Sequence, residues 1–471
     1  MLRCFPESLW HLPGSGYLLK KMIDDLRSQL QAVEDWGEVL HVRREVNPRF
    51  ELPAICKKLE VDKALLFEKV KRYSLPVLVG LDNSRSRIAR VLGTDDFGLT
   101  PRYLEAIRNP LPPTVVQDGP VKEVRITKNI DLAELLPVIT HYEKDGGPFI
   151  TAGMVIAEDP GRRIRNLSYH RLQVMNKDEI GLFLQPRHLW NLYSAKEKEG
   201  KPLEVAVAIG LDVSIRLAGA TSGSLIPLGF DELSIAGALR HKTVEIVRGE
   251  TVEVMAPAKA EIVIEGEILP HLRRTQGPLA NFTGTYGDTW EGPVLKVKAV
   301  THRKGAIYQD LLPFTPEHHL LLAIPYEPVV YQAVTSYVPG TKAVHVTPSG
   351  SGRFHAVVCI LKDHEEDGKK AILAGLNSCR DIKLVTVVDD DVDPYNLREV
   401  EWAVATRFQA DRDLVVIAGA KGNELDPSCS QWGLTAKMGM DATRPLGPRE
   451  RFEKVRIPGL ENIKIQDYIE P

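Results

Sequence analysis

At 471 residues the chain exceeds what one ordinary hydrophobic core organises, and the length suggests about two to four domains, of which three are assigned below. With 43% apolar and 26% charged residues it has the make-up of a folded globular protein, which leaves out disordered and fibrous architectures. A formal net charge of -3, with no dense Lys/Arg run, excludes the electrostatic footprint of a nucleic-acid binder.

The opening MLRCFPESLWHLPGSGYLLKK has no sustained apolar stretch, and no later run is long enough to span a bilayer, so no membrane association and a cytoplasmic location are expected. Cys4, Cys56, Cys359, Cys379 and Cys429 are scattered and lack a CxxC pair, which fits a reducing compartment better than a disulfide framework or a zinc site. From Tyr17 to Val33, Leu18, Leu19, Met22, Ile23, Leu26 and Leu30 recur at helical spacing. Strand-like VLHVRREV and PVLVG follow, then TPRYLEAIRNPLPP, a helix that its prolines stop. An N-terminal α/β domain over residues 1–118 is the result, closed by the turn-rich LPPTVVQDGPV.

Over residues 119–312 the segments VKEVRITKNI, ITAGMVIAED, GLFLQ, EVAVAIGLDVSI, TVEVMAPAKAEIVIEGEIL and PVLKVKAVTHRKGAIYQ are β-branched and separated by turn residues, which reads as a barrel or sandwich. Two helical insertions interrupt it, PRHLWNLYSAKEKEG and DELSIAGALRHK. Residues 313–471 alternate strands (AVHVTPSG, HAVVCIL, KLVTVV, DLVVIAG) with helices (KKAILAGLNSC, REVEWAVATRF), implying an α/β domain with a partly parallel sheet.

Four constellations carry chemistry. Asn166-Leu-Ser-Tyr-His-Arg171 fits a phosphate or carboxylate site as well as it fits a solvated polar turn. Leu184-Gln-Pro-Arg-His188 places Arg187 and His188 near a helix N-terminus, where an anion is stabilised, or simply starts a surface helix. Phe230-Asp-Glu232 opens another helix, as a cap or as metal ligands. Finally, Thr275-Gln-Gly-Pro-Leu-Ala-Asn281-Phe-Thr-Gly-Thr-Tyr286-Gly-Asp288 is a glycine-rich loop after a strand. The order and spacing of these motifs resemble those of the UbiD-like, prenylated-FMN-dependent decarboxylases, as do VMAPAKAEIVIEG, VVDDDVDP and MGMDAT further on.

The resemblance covers nearly the whole chain and implies a split β-barrel flavin-binding domain between two α/β domains, the C-terminal one oligomerising. It implies prenylated FMN from a separate flavin prenyltransferase, held with Mn2+ or Mg2+ and often K+, and a homo-oligomer. The reaction implied is reversible, non-oxidative decarboxylation of an aromatic, heteroaromatic or α,β-unsaturated acid, oriented by Arg171. Cofactor contacts are assigned by the same likeness to Asn166, Tyr169, His170 and Arg171 in the first motif and to Glu232 in the third. Leu182, Phe183, Leu184, Gln185, Arg187 and His188 supply the rest, and Asn166 and Glu232 double as metal ligands.

Two positions depart from the family pattern. Where the family has a histidine ligand this chain has Pro186, so either His188 substitutes or Asn166, Glu232, phosphate and water suffice for a hard cation. Where the family has E-G-P-x-x-[DE], Gln276 and Asn281 stand, and an amide exchanges no proton near neutral pH. His170, Asp288, His318 and His319 are then the candidates for handling the proton, each also readable as a surface or turn residue. The altered pair equally suits a non-catalytic or regulatory subunit of a multi-subunit carboxylase. Asp389, Asp390 and Asp391 read as a strand end or a cation site, and Lys437 as a neighbour of the cofactor or of an adjacent subunit.

Overall fold

Asp25 decides where the first helix begins: its carboxylate accepts from the Ser28 N–H at 2.7 Å, and the helix runs Leu26–Asp35. The structure, a computed structural model, describes residues 23–468 apart from 60–61, 160, 163, 222, 224, 431, 448 and 465–466. Ile23 therefore precedes the helix that was expected to include it, and Cys4 and the expectation for residues 17–22 lie outside the described residues. Cys56, Cys359, Cys379 and Cys429 are free thiols, and among the described residues no helix is long and apolar enough to cross a membrane.

The first sheet joins Val39–Val42, Ala64–Phe67 and Val77–Val79 to Tyr308–Gln309, which comes from far down the chain. Tyr308 pairs in parallel with Val77, so the N-terminal layer is completed by a strand beyond the central sheet. Helix Leu99–Arg108 ends at Asn109, ahead of the prolines, as expected. A three-stranded sheet of Thr114–Val115, Glu245–Arg248 and Met255–Pro257 adds a second crossing between the same regions.

The central sheet has nine strands, all paired antiparallel, and its pairing path does not close on itself. Its longest members, Ile262–Gln276 and Trp290–His302, are bent by bulges at Glu265/Gly266 and Ile268/Arg273. Helices His188–Lys198 and Glu232–Leu239 lie where the two insertions were expected. A third helix, Val213–Gly219, begins inside EVAVAIGLDVSI, a segment expected to be strand to its end at Ile215. The strand stops at Ile209 because Gly210 takes φ 78, and Asp212 then caps the helix by accepting from Ser214 N–H at 3.0 Å.

The C-terminal sheet runs Thr341–Val346, His355–Ile360, Leu384–Asp389, Leu434–Asp441, Leu414–Lys421, with the two middle pairings parallel and the outer two antiparallel. Of Asp389, Asp390 and Asp391 only Asp390 is solvated: Arg407 pairs with Asp389 and Asp391, and Arg444 pairs with both and lies 3.8 Å from the exposed Asp390. Lys437 is buried and donates to the carbonyls of Leu376 (2.6 Å) and Cys379 (3.0 Å), closing the end of helix Asp367–Ser378.

Three regions of the chain meet at one buried ion cluster. Arg216, on helix Val213–Gly219, pairs with Asp82 beyond strand Val77–Val79 and, at 3.0 Å, with Glu317 on helix Pro316–Ala323. Glu317 also accepts the N–H groups of Gly80 and Asp82 at 2.9 and 3.1 Å, and Gln29 bridges Asp82 to the Val213 N–H. Burial raises the Asp82 carboxyl to about 6, with Arg216 and Arg87 opposing the rise and Glu317 adding to it. Between pH 4 and 6 the unfolded chain releases this proton while the folded chain keeps it, so the Asp82 contribution to stability falls across that window and is flat above it. Denaturant midpoints of wild type and Asp82→Asn measured from pH 4 to 8 should differ in this way; a constant difference would assign the slope elsewhere.

Candidate functional site

Strand Ile164–Tyr169 and the first turn of helix Glu232–Leu239 bring Asn166 and Glu232 together. The Asn166 amide donates to Glu232 Oε1 at 3.0 Å and the Leu167 N–H donates to Oε2 at 3.0 Å. Asp231 caps the helix by accepting from Leu233 N–H and is itself paired with Arg165, which also binds Glu158. Among the described residues Glu232 has no such countercharge, and burial pushes its carboxyl up to about 8. A divalent cation would supply the missing charge. The donors suit a hard ion: a carboxylate, and an Asn166 amide oxygen that among the described residues meets only the Ser168 hydroxyl, a group with one proton to share between it and His170. Among the described residues no three His, Cys, Asp or Glu side chains converge as metal ligands.

Arg171 lies on an aromatic ledge, its guanidinium carbon 4.9 Å from the Phe183 ring centre and 6.0 Å from that of Trp290. The two rings meet edge to face at 4.8 Å. Arg171 donates to the Asn281 amide oxygen, and among the described residues no carboxylate pairs with it. Loss of solvation lowers its pKa to about 10. Gln276 and Asn281 are both buried, Gln276 in contact with Trp290 and Asn281 with Arg171. The two amides are thus linked through Arg171, which Asn281 holds directly and Gln276 reaches through the Trp290 ring.

The other predicted positions divide. Leu182 is fully buried in the apolar core, Leu184 packs against it, and Gln185 follows on the way to the helix. Tyr169 turns its hydroxyl to Arg216, 3.3 Å away. Pro186 and Arg187 are exposed; Arg187, not Pro186, stands at the boundary of helix His188–Lys198, with no side-chain cap. A Cβ added to Gly223 would lie 3.6 Å from His188 Nε2, so that ring faces the loop before Glu232.

Of the proton-handling candidates, His170 has both ring nitrogens engaged, by Phe183 C=O at 3.1 Å and the Ser168 hydroxyl at 3.0 Å, and burial holds it down to about 4. Asp288 is exposed, and His319 is bonded to Phe282 C=O at 2.8 Å. His318 has Nδ1 taken by the Phe314 N–H at 3.3 Å. Burial, with the charges of His319, Arg171 and Arg353, pushes it down to about 3, which leaves a neutral ring beside Arg171. Trp290 was missed, because only the strand register that sets it opposite Gln276 reveals it.

Comparison with known proteins agrees along the chain. Residues 30–107, 114–316 and 319–442 match the N-terminal, Rift-related and C-terminal domains of the 3-octaprenyl-4-hydroxybenzoate carboxy-lyase (UbiD) family. The chain is 39% identical over 418 residues to the anhydromevalonate phosphate decarboxylase of Methanothermobacter thermautotrophicus, covering 89% of this chain and 97% of that one. The UbiD-class enzyme HmfF of Pelotomaculum thermopropionicum, solved in complex with FMN, superposes with a TM-score of 0.91 at 46% identity over 94% of this chain and all (100%) of its own. An evolved dimeric form of HmfF in complex with prFMN gives 0.87 at 42% identity, over 95% and 100% of the two chains. The fold, the order of its three domains and these likenesses together place the chain in the UbiD family of carboxy-lyases.

Proposed function

We propose that the chain is a reversible, non-oxidative decarboxylase of an aromatic, heteroaromatic or α,β-unsaturated carboxylic acid, working with prenylated FMN. The observation that carries this reading is Arg171: a desolvated guanidinium on two aromatic faces, held by a neutral amide and paired with no carboxylate among the described residues. Its fork of N–H donors suits a substrate carboxylate, and Phe183 and Trp290 suit a planar, apolar body. Prenylated FMN, when bound, supplies an acceptor for the electrons left as carbon dioxide departs. Asn166 and Glu232 would hold Mn2+ or Mg2+ against its phosphate, and K+ belongs to the same reading.

In place of the family's acids, His318 handles the proton. His170 and His319 are tied to carbonyls and Asp288 is exposed, whereas among the described residues no hydrogen bond is made to His318 Nε2. Burial is the main cause of the low basicity of His318; an arriving carboxylate would offset the further effect of the Arg171 and Arg353 charges, and the ring would then take a proton from solvent and give it to carbon as carbon dioxide leaves. The partners of this reading are a flavin prenyltransferase, a second copy of the chain in a homo-oligomer and, in some settings, other carboxylase subunits.

The test is co-expression with a flavin prenyltransferase and anaerobic purification. Bound prenylated FMN, seen by spectrum and mass, with carbon dioxide release or solvent deuterium in the product, is expected; absence of the cofactor overturns the reading. Holoprotein without release or exchange across a panel of aromatic and unsaturated acids would instead mark a non-catalytic subunit. Glu232→Gln should weaken metal retention by at least about 10-fold, read by elemental analysis after dialysis against chelator.

A further inference from the structure

Gln276 ends strand Ile262–Gln276 directly opposite Trp290, the first residue of strand Trp290–His302. The residue is 1% exposed, and its side chain lies in a slot between Gly292 on the paired strand and Gly181 on strand Glu179–Leu182, which pairs with the far edge of that same strand. A Cβ on Gly181 would come within 2.5 Å of Gln276 Cδ, and one on Gly292 within 2.6 Å of Gln276 Nε2, so the slot is one amide thick. Within it, Gln276 Oε1 accepts from the Trp290 indole N–H at 3.0 Å and Gln276 Nε2 donates to the Pro293 carbonyl at 3.0 Å. Gly277, at φ 81, closes on the other side of the indole: a Cβ there would meet Trp290 Cζ3 at 2.5 Å.

These contacts demand a donor at one end of the side chain and an acceptor at the other. An amide supplies both at every pH, a carboxylate has no proton for Pro293, and an apolar side chain has neither. The fixed indole in turn sets the Phe183–Trp290 ledge on which Arg171 lies, and the other hold on the guanidinium is the Asn281 amide.

We infer that Gln276 is a positioning residue for the carboxylate site: it aims Arg171 by locking the Trp290 indole, and takes no part in moving the proton. This rests on the reading of Arg171 as the carboxylate receptor. The amide at this position therefore does a job of its own, distinct from that of the acid the family places there. Substrate binding is set by a guanidinium whose orientation comes from an aromatic surface and whose charge no protein carboxylate offsets among the described residues.

The experiment follows the indole directly. In the full-length apo protein labelled with 15N-tryptophan, the Trp290 indole resonance is assigned by its loss in Trp290→Phe. In wild type its shift and exchange protection should be constant from pH 5.5 to 8.5. Gln276→Met should move the resonance and lower protection by about tenfold, the worth of one neutral hydrogen bond. Gln276→Glu should match wild type at low pH, where a protonated carboxyl can still donate to Pro293, and depart from it as the buried acid ionises. In the holoenzyme, KM for the acid should rise about tenfold in Gln276→Met with kcat little changed, and in Gln276→Glu should rise only at high pH. If Gln276→Met does not fold, the pH dependence of Gln276→Glu decides. An unmoved indole, a pH-independent Gln276→Glu, or a moved indole with unchanged KM overturns the inference. Failure of the underlying reading would show differently, as unchanged KM in Arg171→Gln.

Discussion

Arg171→Gln is expected to lower kcat/KM for the acid by roughly 10²- to 10³-fold while leaving cofactor absorbance in place. Losing one side of a desolvated, charge-assisted pair costs about 2–5 kcal/mol, and each 1.4 kcal/mol is about tenfold. The middle of that range, about 2.8–4.2 kcal/mol, applies here, because Arg171 is out of water, supported by Phe183 and Trp290, and shares its charge with no carboxylate among the described residues. Arg171→Lys should recover little of the loss, since a point charge cannot reproduce the planar fork or its seat on the rings. Steady-state kinetics of the anaerobic holoenzyme check both. Near-wild-type kcat/KM in Arg171→Gln would remove the carboxylate role.

Arg216→Ala should cost about 3–5 kcal/mol of stability, the penalty for leaving buried carboxylates without their cation. Asp82 and Glu317 are 0% and 1% exposed, and Arg216 is the group that bridges them. The loss should appear first in the amides this cluster holds, those of Gly80, Asp82 and Val213, as faster hydrogen exchange. Adding Asp82→Asn and Glu317→Gln to Arg216→Met should restore part of the stability, because neutral partners of similar shape carry no such penalty. Equal instability in the single and triple variants would show that packing, not charge, holds this junction.

Much of this fold is legible in local pattern. The strand and helix alternation of the C-terminal domain and both helical insertions of the central sheet follow from periodicity, and the family likeness pairs Asn166 with Glu232, found 3.0 Å apart. Where expectation failed, a short capping signal or an even distribution of apolar residues was responsible. Gly210 and Asp212 turn VSI, read as the end of a strand, into the start of helix Val213–Gly219, overriding its apolar run. Helices Pro316–Ala323 and Glu327–Thr335 went unread: the first is buried on several sides and shows no polar face to set a period, and the second carries its exposed Gln332 within a short, largely apolar run. The site is harder still. Arg171, Phe183, Gln276 and Trp290 meet through strand register, and His318 through a helix from the next domain, so no local signal joins them.

The pairing of Tyr308–Gln309 with Val77–Val79 has a consequence for how the polypeptide comes into being. An N-terminal layer emerging from the ribosome must wait, with one apolar edge uncovered, until the entire central sheet has been synthesised. Cutting the gene at the apparent domain border would make that wait permanent. The first and second domains are thus separate in pattern but joint in assembly, and the segment that completes the one leads straight into the helix bearing Glu317 and His318.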